Sequence, residues 1–347
     1  KNNLIQSTNN NITKISKEVD KLLGKNTYFY PLSDFELINR IRLKTDKFNL
    51  DNISRTHAYL TYYEKHKEIC WSFLASQVSR NAGWSMCDLQ DKWIPKILNM
   101  QQRKQLFLTY EKANWLIFKD AYPQLLLYEY STKINAPMFH LLKFFHVSNF
   151  MEEEWNVFWK YRDKKRLMNS LIINEQHIIE KPVIQNKSIK NKVFQSIPYI
   201  FQDLLHFNSV IFPTLKGELY GASVSRFTSV DHRINLGNNL ASILFEPHLY
   251  QELYLFARKV THTGSRRDYQ RFMKDNNDSV SPFLRTVYPI INHSSIVNEE
   301  WYHGKIKKKW RKKKEKNEPI HLTAWYLNKQ QQLHQLIHIN QTLLHKR

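Results

Sequence analysis

The sequence has 347 residues, of which 42% are hydrophobic and 14% are aromatic. This composition is sufficient for one large folded core or two smaller ones, and it favours a well-packed globular protein over a disordered chain. The formal net charge of +21 favours acidic partners, although a lysine-rich solvated surface would produce the same charge.

The N-terminal residues 1–27 are polar and amphipathic, and they are predicted to form an arm. A helix is predicted to follow and to end near Lys44, because Ser33 and Glu36 have the spacing of a capping box. A second helix is predicted to begin at Asp51 or Ser54 and to end near residue 66.

The second predicted helix carries Arg55, Tyr62 and His66 on one face, with His57 beside them. A cation, a phenol and an imidazole can bind a phosphate or carboxylate, and histidine titrates near neutral pH. Arg55 and Tyr62 are therefore ligand-binding candidates, and His57 is an acid–base candidate. The alternative is a surface helix whose aromatic rings lie flat with wet polar tips.

The third predicted helix, residues 67–82, has an apolar stripe and a stripe of small residues but no charged face, so it should be packed on most sides. Arg80 and Asn81 come together at its end, and both are ligand-binding candidates. A buried guanidinium keeps its proton and needs an anion or several carbonyls. The sequence leaves open an anionic ligand in a pocket or an internal salt bridge, and the carboxylates considered for the bridge are Asp88, Asp120 and Glu129.

Further helices are predicted over residues 91–121 and 150–168. Pro123 disfavours helical geometry at the residue before it, so the first of these should end or kink there. Asp120 lies beside this break and is a ligand-binding candidate. The alternative is that polar groups there only cap the broken helix ends.

A change in composition near residues 181–195 predicts a boundary between a helical domain or subdomain, 28–185, and a second helical subdomain, 186–300. Residues 301–347 form a basic segment with a final helix. A small irregular or β insertion is predicted near 208–235, where β-branched residues and glycines cluster. The predicted fold class is mainly α, a compact multi-helix array.

Helices are predicted over 236–246 and 248–262, and Gly264 and Ser265 then predict a new helix start. Its free N–H groups at residues 266–268 would attract an anion. The candidates for this site are Ser265, Arg266 and Arg267 as ligand-binding residues and His262 as an acid–base group. The alternative is that the carboxylate of Asp268 occupies the same N-terminus.

The basic run 305–316 is predicted to bind anionic lipid or nucleic acid, or else to be a solvated loop. Its candidate residues are Lys307, Lys308, Lys309, Trp310, Arg311 and Lys312. The last predicted helix, 324–345, carries His334 and His338 one turn apart, but no acid or cysteine lies near them, so no metal site is predicted.

No phosphate-binding glycine loop, nucleophile elbow or zinc motif is present, so no cofactor is predicted. Two functional hypotheses follow. The first is a protein, enzymatic in one version, that binds an anionic small molecule internally. The second is a non-catalytic module that binds a polyanion or membrane surface through its basic C-terminal region.

The expected location is the cytoplasm, with attachment at the membrane periphery in the second hypothesis. Cys70 and Cys87 are too few for a disulfide framework and favour a reducing compartment. No run of 18 apolar residues predicts a membrane-spanning helix.

Four stretches resemble a family of bacilli, the YppC-type proteins, which are described as a domain of unknown function: RTHAYLTYY, SRNAGWSMCDL, DAYPQLLLYE and HTGSRRDY. The resemblance covers roughly residues 45–300. It implies a bacterial origin within a spore-forming group, and it assigns no activity or catalytic residue.

Overall fold

The computed structural model describes residues 32–187, 209–223, 228–274, 281–293, 299–311 and 321–344, with side chains as far as His338. The chain forms two compact units, Lys1–Leu37 and Ile38–Arg347. The predicted arm, 1–27, lies outside the described residues. The predicted subdomain boundary near residue 185 stays a prediction.

The described parts of the chain are mainly α-helical, as predicted. Their α-helices are α1 (Asp34–Phe48), α2 (Asn52–Lys65), α3 (Cys70–Asp88), α4 (Met100–Ile134), α5 (Asn149–Tyr161), α6 (Lys164–Ile178), α7 (Val230–Leu244), α8 (Pro247–Lys259), α9 (Arg267–Gln270), α10 (Leu284–Val287) and α11 (Thr323–Leu344). Short 3-10 helices cover Ile94–Lys96, Phe139–Phe145 and Lys308–Arg311, and a π-helix covers Glu180–Ile184. No helix within these ranges is both long enough and apolar enough to span a bilayer.

The β insertion predicted near 208–235 is a two-stranded antiparallel sheet of β1 (Ser209–Pro213) and β2 (Leu219–Ser223). Ser209 pairs with Ser223, and Pro213 pairs with Leu219. Leu322 then donates its backbone N–H to Leu219 O at 2.7 Å, so the start of α11 attaches to the hairpin.

Local sequence signals place the first two helices. Ser33 and Glu36 form the predicted reciprocal cap, with Glu36 N donating to Ser33 Oγ at 3.3 Å and Ser33 N donating to Glu36 Oε2 at 3.0 Å. Asp51 caps α2 by accepting from Ser54 N at 2.8 Å. These side chains satisfy N–H groups that lack partners inside the helix.

A helix end or a kink was predicted at Pro123. The helix does not end there, because α4 continues through Pro123 to Ile134. Pro123 removes one backbone donor, but the helix around it is buried, and tertiary packing overrides the local preference. In the same turn, the side-chain amide of Gln124 donates to Asp120 O at 3.2 Å.

The helix predicted over 150–168 is two helices, α5 and α6. Arg162 ends α5 with φ 54°, in the left-handed region, and Asp163 caps α6 by accepting from the N–H groups of Lys165 and Arg166. Arginine seldom adopts the left-handed backbone conformation. Neither the residue type at position 162 nor the hydrophobic pattern therefore predicted a helix break there.

Helix α3 is the centre of the fold, and it packs on most sides as predicted. It contacts α2, α4, α6, α7, α10 and β1. Its small residues face α2, where Ser76 Oγ donates to Thr56 O at 3.1 Å and Asn52 donates to Ser79 O at 3.0 Å. Small side chains there allow the two helix backbones to approach closely.

Candidate functional site

The C-terminal half of α3 presents one polar face to the segment that follows α8. Residues on this face are spaced three or four positions apart, which places them on one side of a helix: Arg80, Gly83, Trp84, Cys87 and Asp88. The opposing segment is residues 260–269. We call this region the α3–loop site.

Arg80 is buried, with 1% of its surface exposed. Its guanidinium donates to Ala257 O at 3.4 Å and to Val260 O, two carbonyls at the C-terminal end of α8. That end carries the negative side of the helix dipole, which stabilises a cation. Burial lowers the Arg80 pKa to about 10 while the charge of Asp268 opposes this, so the side chain stays charged at neutral pH.

The internal salt bridge considered for Arg80 is absent from the described residues, since its hydrogen-bond acceptors there are the two carbonyls. Arg80 Nε is buried and has no hydrogen-bond partner among the described residues. A buried donor without an acceptor is costly and needs an explanation.

His262 and Asp268 form a buried pair beside Arg80, with 3.1 Å between Nδ1 and Oδ2. Asp268 also accepts from Trp84 Nε1 at 3.0 Å and from the backbone N–H and hydroxyl of Thr263. Although burial opposes ionisation, these donors, led by His262, lower the Asp268 pKa. The carboxylate is therefore a stable anion.

Burial lowers the pKa of His262, with the positive charge of Arg80 acting in the same direction. The neutral imidazole is assigned a proton on Nδ1, because Nδ1 faces the carboxylate of Asp268. Nε2 then carries a lone pair, and it is buried without a partner among the described residues. The arrangement resembles a base oriented by a carboxylate.

Gly83 allows the imidazole to lie against α3. A Cβ atom at this position would be 2.7 Å from His262 Nε2. The Trp84 ring is edge-on to the His262 imidazole, with 6.1 Å between the ring centroids. Gly83 and Trp84 had no predicted role, although their spacing of three and four residues from Arg80 places them on the same helix face.

The N–H groups of residues 266–268, which were predicted to attract an anion, are occupied within the chain. Arg266 N donates to Ser281 Oγ, Arg267 N donates to Ser265 Oγ, and Asp268 N donates to Ser265 O. Helix α9 begins at Arg267 and has only four residues.

The arginines of this loop differ in environment. Arg266 is buried and forms an ion pair with Asp88, and it also donates to Tyr269 Oη at 2.6 Å. Arg267 is exposed, with its guanidinium over the Phe283 ring. The charge of Arg266 is thus already matched by a carboxylate.

Four other predicted residues lie outside the α3–loop site. Arg55 is buried against Glu111, with 2.5 Å between Nη2 and Oε1 and 3.0 Å between Nη1 and Oε2. Asn81 holds β1 by donating to Ser209 O and accepting from Ile211 N. Tyr62 stacks on His66, and His57 is exposed.

Asp120 is the centre of a separate buried polar cluster. Its Oδ2 accepts from Asn174 Nδ2 at 2.6 Å and from Gln124 Nε2 at 2.7 Å, while Oδ1 has no partner among the described residues. Burial raises the Asp120 pKa to about 7 despite these donors.

Replacing Asp120 by asparagine is expected to stabilise the protein by about 1–3 kcal/mol at pH 8. Between pH ~4 and ~7 the unfolded carboxyl loses its proton while the folded one keeps it, so wild-type stability falls as pH rises through this window. The amide oxygen of the variant can still accept both hydrogen bonds. Urea denaturation at pH 4.5 and pH 8 measures the difference, which should nearly vanish at the lower pH; a variant that is less stable at pH 8 would contradict this explanation.

The described part of the basic run is attached to the protein surface. Trp310 is buried and donates to Asp231 Oδ1 at 2.6 Å, and Arg311 forms an ion pair with Glu154 at 2.6 Å. Lys307 and Lys309 lie near Asp231, and Lys308 is exposed. Lys312 lies outside the described residues.

His334 stacks on Trp93 at 4.1 Å between centroids, and His338 meets the same ring edge-on. Across the described ranges, no group of three or more histidine, cysteine, aspartate or glutamate residues is arranged to hold a metal ion. Cys70 and Cys87 are free thiols.

Two of the stretches that carry the resemblance meet at the α3–loop site, because SRNAGWSMCDL supplies its helix face and HTGSRRDY its opposing segment. The other two stretches also meet, with Tyr59 of α2 and Tyr122 of α4 at 6.4 Å between ring centroids.

A model of the family described as "Protein of unknown function (DUF2515)" matches residues 47–341. The chain is 50% identical over 309 residues to "Uncharacterized protein YppC" of Bacillus subtilis (strain 168), covering 89% of this chain and 96% of that protein. No solved structure matches the chain significantly. The chain therefore belongs to the DUF2515 family, as its resemblance to the YppC-type proteins predicted.

Proposed function

We propose that the protein binds a small oxyanion, of the phosphate or carboxylate type, at the α3–loop site. The observation that carries this proposal is the presence of two buried nitrogens without described partners, Arg80 Nε and His262 Nε2. His262 Nε2 lies against Gly83, three residues after Arg80 in α3, and the Arg80 charge acts on the imidazole. Both atoms need a partner, and a ligand would supply it.

The chemistry of the two nitrogens is complementary to an oxyanion that also carries an O–H group, such as hydrogen phosphate, whereas a simple carboxylate would be held through Arg80 alone. Arg80 Nε–H is a donor that cannot be lost, so it matches an anionic oxygen. The lone pair of neutral His262 Nε2 matches a neighbouring O–H. Asp268 fixes the tautomer and would stabilise an imidazolium if the ligand transferred its proton, which is the step an enzymatic version of the site would use.

Charge matching favours Arg80 over Arg55 and Arg266. Arg55 and Arg266 each contact a carboxylate directly. Arg80 donates to carbonyl oxygens, and the carboxylate of Asp268 acts on its charge only from beyond hydrogen-bond distance. The competing interpretation is that Arg80 serves only as a cap for α8, and this difference is testable.

Replacing Arg80 by methionine is expected to abolish stabilisation of the protein by added oxyanions. A ligand that binds only the folded protein raises its stability by RT ln(1 + [L]/Kd). The melting temperature is therefore measured against increasing phosphate, sulfate and acetate, with sodium chloride at matched ionic strength as the baseline.

The matched control is Arg267→Met, which removes an exposed guanidinium from the same loop and should retain the wild-type response. Arg80→Lys keeps a charge but lacks Nε, so it should respond weakly. The proposal fails if none of these anions stabilises the wild-type protein beyond the chloride baseline, or if Arg80→Met responds as the wild type does.

A further inference from the structure

Two basic segments form one surface, although they are far apart in the sequence. Residues 160–166, KYRDKKR, join α5 to α6, and residues 305–311, KIKKKWR, precede α11. We call them together the basic face. Arg166 and Arg311 both reach Glu154 Oε1, at 2.9 and 2.6 Å, so Glu154 joins the two segments.

The basic face carries a large excess of positive charge. Its two segments contain ten lysines and arginines. Among the described residues, the carboxylates in direct contact with them are Asp163 at the start of α6, Glu154, and Asp231 under Lys307 and Lys309. Three such carboxylates against ten cations leave a net field that attracts a polyanion.

The first segment is fully accessible, because each of its residues is exposed. The left-handed conformation of Arg162 ends α5. Tyr161 is 65% exposed between Lys160 and Arg162, and Lys160 Nζ lies 5.1 Å from its ring centroid. An aromatic ring between cations can stack a base while the cations contact phosphates.

The second segment is fixed by its aromatic residue. Trp310 is buried and bonded to Asp231, and Asn169 donates to Trp310 O at 2.9 Å. A tryptophan in this position cannot insert into a membrane interface. Tyr161 is the one large exposed hydrophobic side chain in the two segments as described, so the face lacks the apolar anchors that membrane binding uses.

We propose that the basic face binds single-stranded nucleic acid. The cations track the phosphate backbone, and Tyr161 provides the stacking surface. This binding is independent of the proposed oxyanion site, because Arg80 belongs to neither segment.

The test is fluorescence anisotropy of labelled U20 and dT20 oligonucleotides at 50 and 200 mM salt. Wild-type binding should weaken steeply with salt, because phosphate contacts release counterions. The variant K160E/K164E/K165E should bind at least about tenfold more weakly, and Tyr161→Ala should bind about fivefold more weakly through lost stacking. Binding of either oligonucleotide in this manner supports the proposal.

The matched control is K92E/K96E/K104E, which reverses three exposed lysines elsewhere and should stay within about twofold of wild type. Arg80→Met should also bind as the wild type does, so failure of the oxyanion site leaves this test intact. Equal weakening by the two triple variants, binding to phosphatidylglycerol vesicles without binding to oligonucleotides, or no binding at all would overturn the proposal.

Discussion

Replacing Glu111 by leucine is expected to lower the free energy of unfolding by about 3–5 kcal/mol. Glu111 and Arg55 are both buried, and the carboxylate accepts two hydrogen bonds from the guanidinium. Without Glu111, the guanidinium keeps Asn49 and Asn52 as acceptors but has no counter-charge. A buried unpaired charge is among the most destabilising changes in a protein. Urea denaturation at pH 7 measures the loss.

Two further variants check the physical cause. The double variant R55M/E111L removes both charges and should recover most of the stability, since a buried ion pair is often replaceable by apolar side chains. Arg285→Gln breaks an ion pair with Asp51 whose arginine side chain is 57% exposed, and it should cost less than about 1 kcal/mol because solvent screens the pair. Equal losses in E111L and the double variant would contradict this account.

Replacing Gly264 by alanine is expected to lower the free energy of unfolding by about 2–4 kcal/mol. Gly264 has φ +79°, which a residue with a side chain adopts at a cost. A Cβ atom there would also lie 2.5 Å from Leu284 Cβ and 3.1 Å from Cys87 Sγ. The new methyl group must therefore displace α10 from α3, and thermal and urea unfolding measure the effect.

Gly304 separates the two contributions, because it has nearly the same backbone angle, φ +78°, with nothing within 4 Å of an added Cβ. Gly304→Ala should therefore cost only about 1 kcal/mol, the conformational part alone. If the two alanine variants lost the same stability, crowding against Leu284 and Cys87 would not be the reason for the larger expected loss at Gly264.

The fold class was predictable because its signals are local. Capping residues placed the starts of α1 and α2, and the absence of a charged face on residues 67–82 predicted a central helix. The continuation of helix α4 through Pro123 was not predictable, because it depends on the tertiary packing of the buried helix around the proline. The helix break at Arg162 was also missed, because an arginine in the sequence does not indicate a left-handed backbone conformation.

The candidate site was predicted only in part, for a physical reason. Arg80, His262 and Asp268 were each visible in the sequence, but their pairing depends on a contact between residues about 180 positions apart. The sequence left open that the Asp268 carboxylate takes the place of an anion at the helix N-terminus, whereas in the structure it contacts His262. Glu111, the partner of Arg55, had no sequence signal beyond its position in the helix predicted over residues 91–121.

The attachment of Leu322 to Leu219 affects the order in which the chain can be completed. During synthesis, strand β2 emerges about 100 residues before the segment that bonds to its edge. For that interval the edge presents open backbone groups, which are templates for pairing with another chain. Nascent chains truncated before residue 321 should therefore be the most prone to aggregate, and a chaperone that covers this hairpin would protect them.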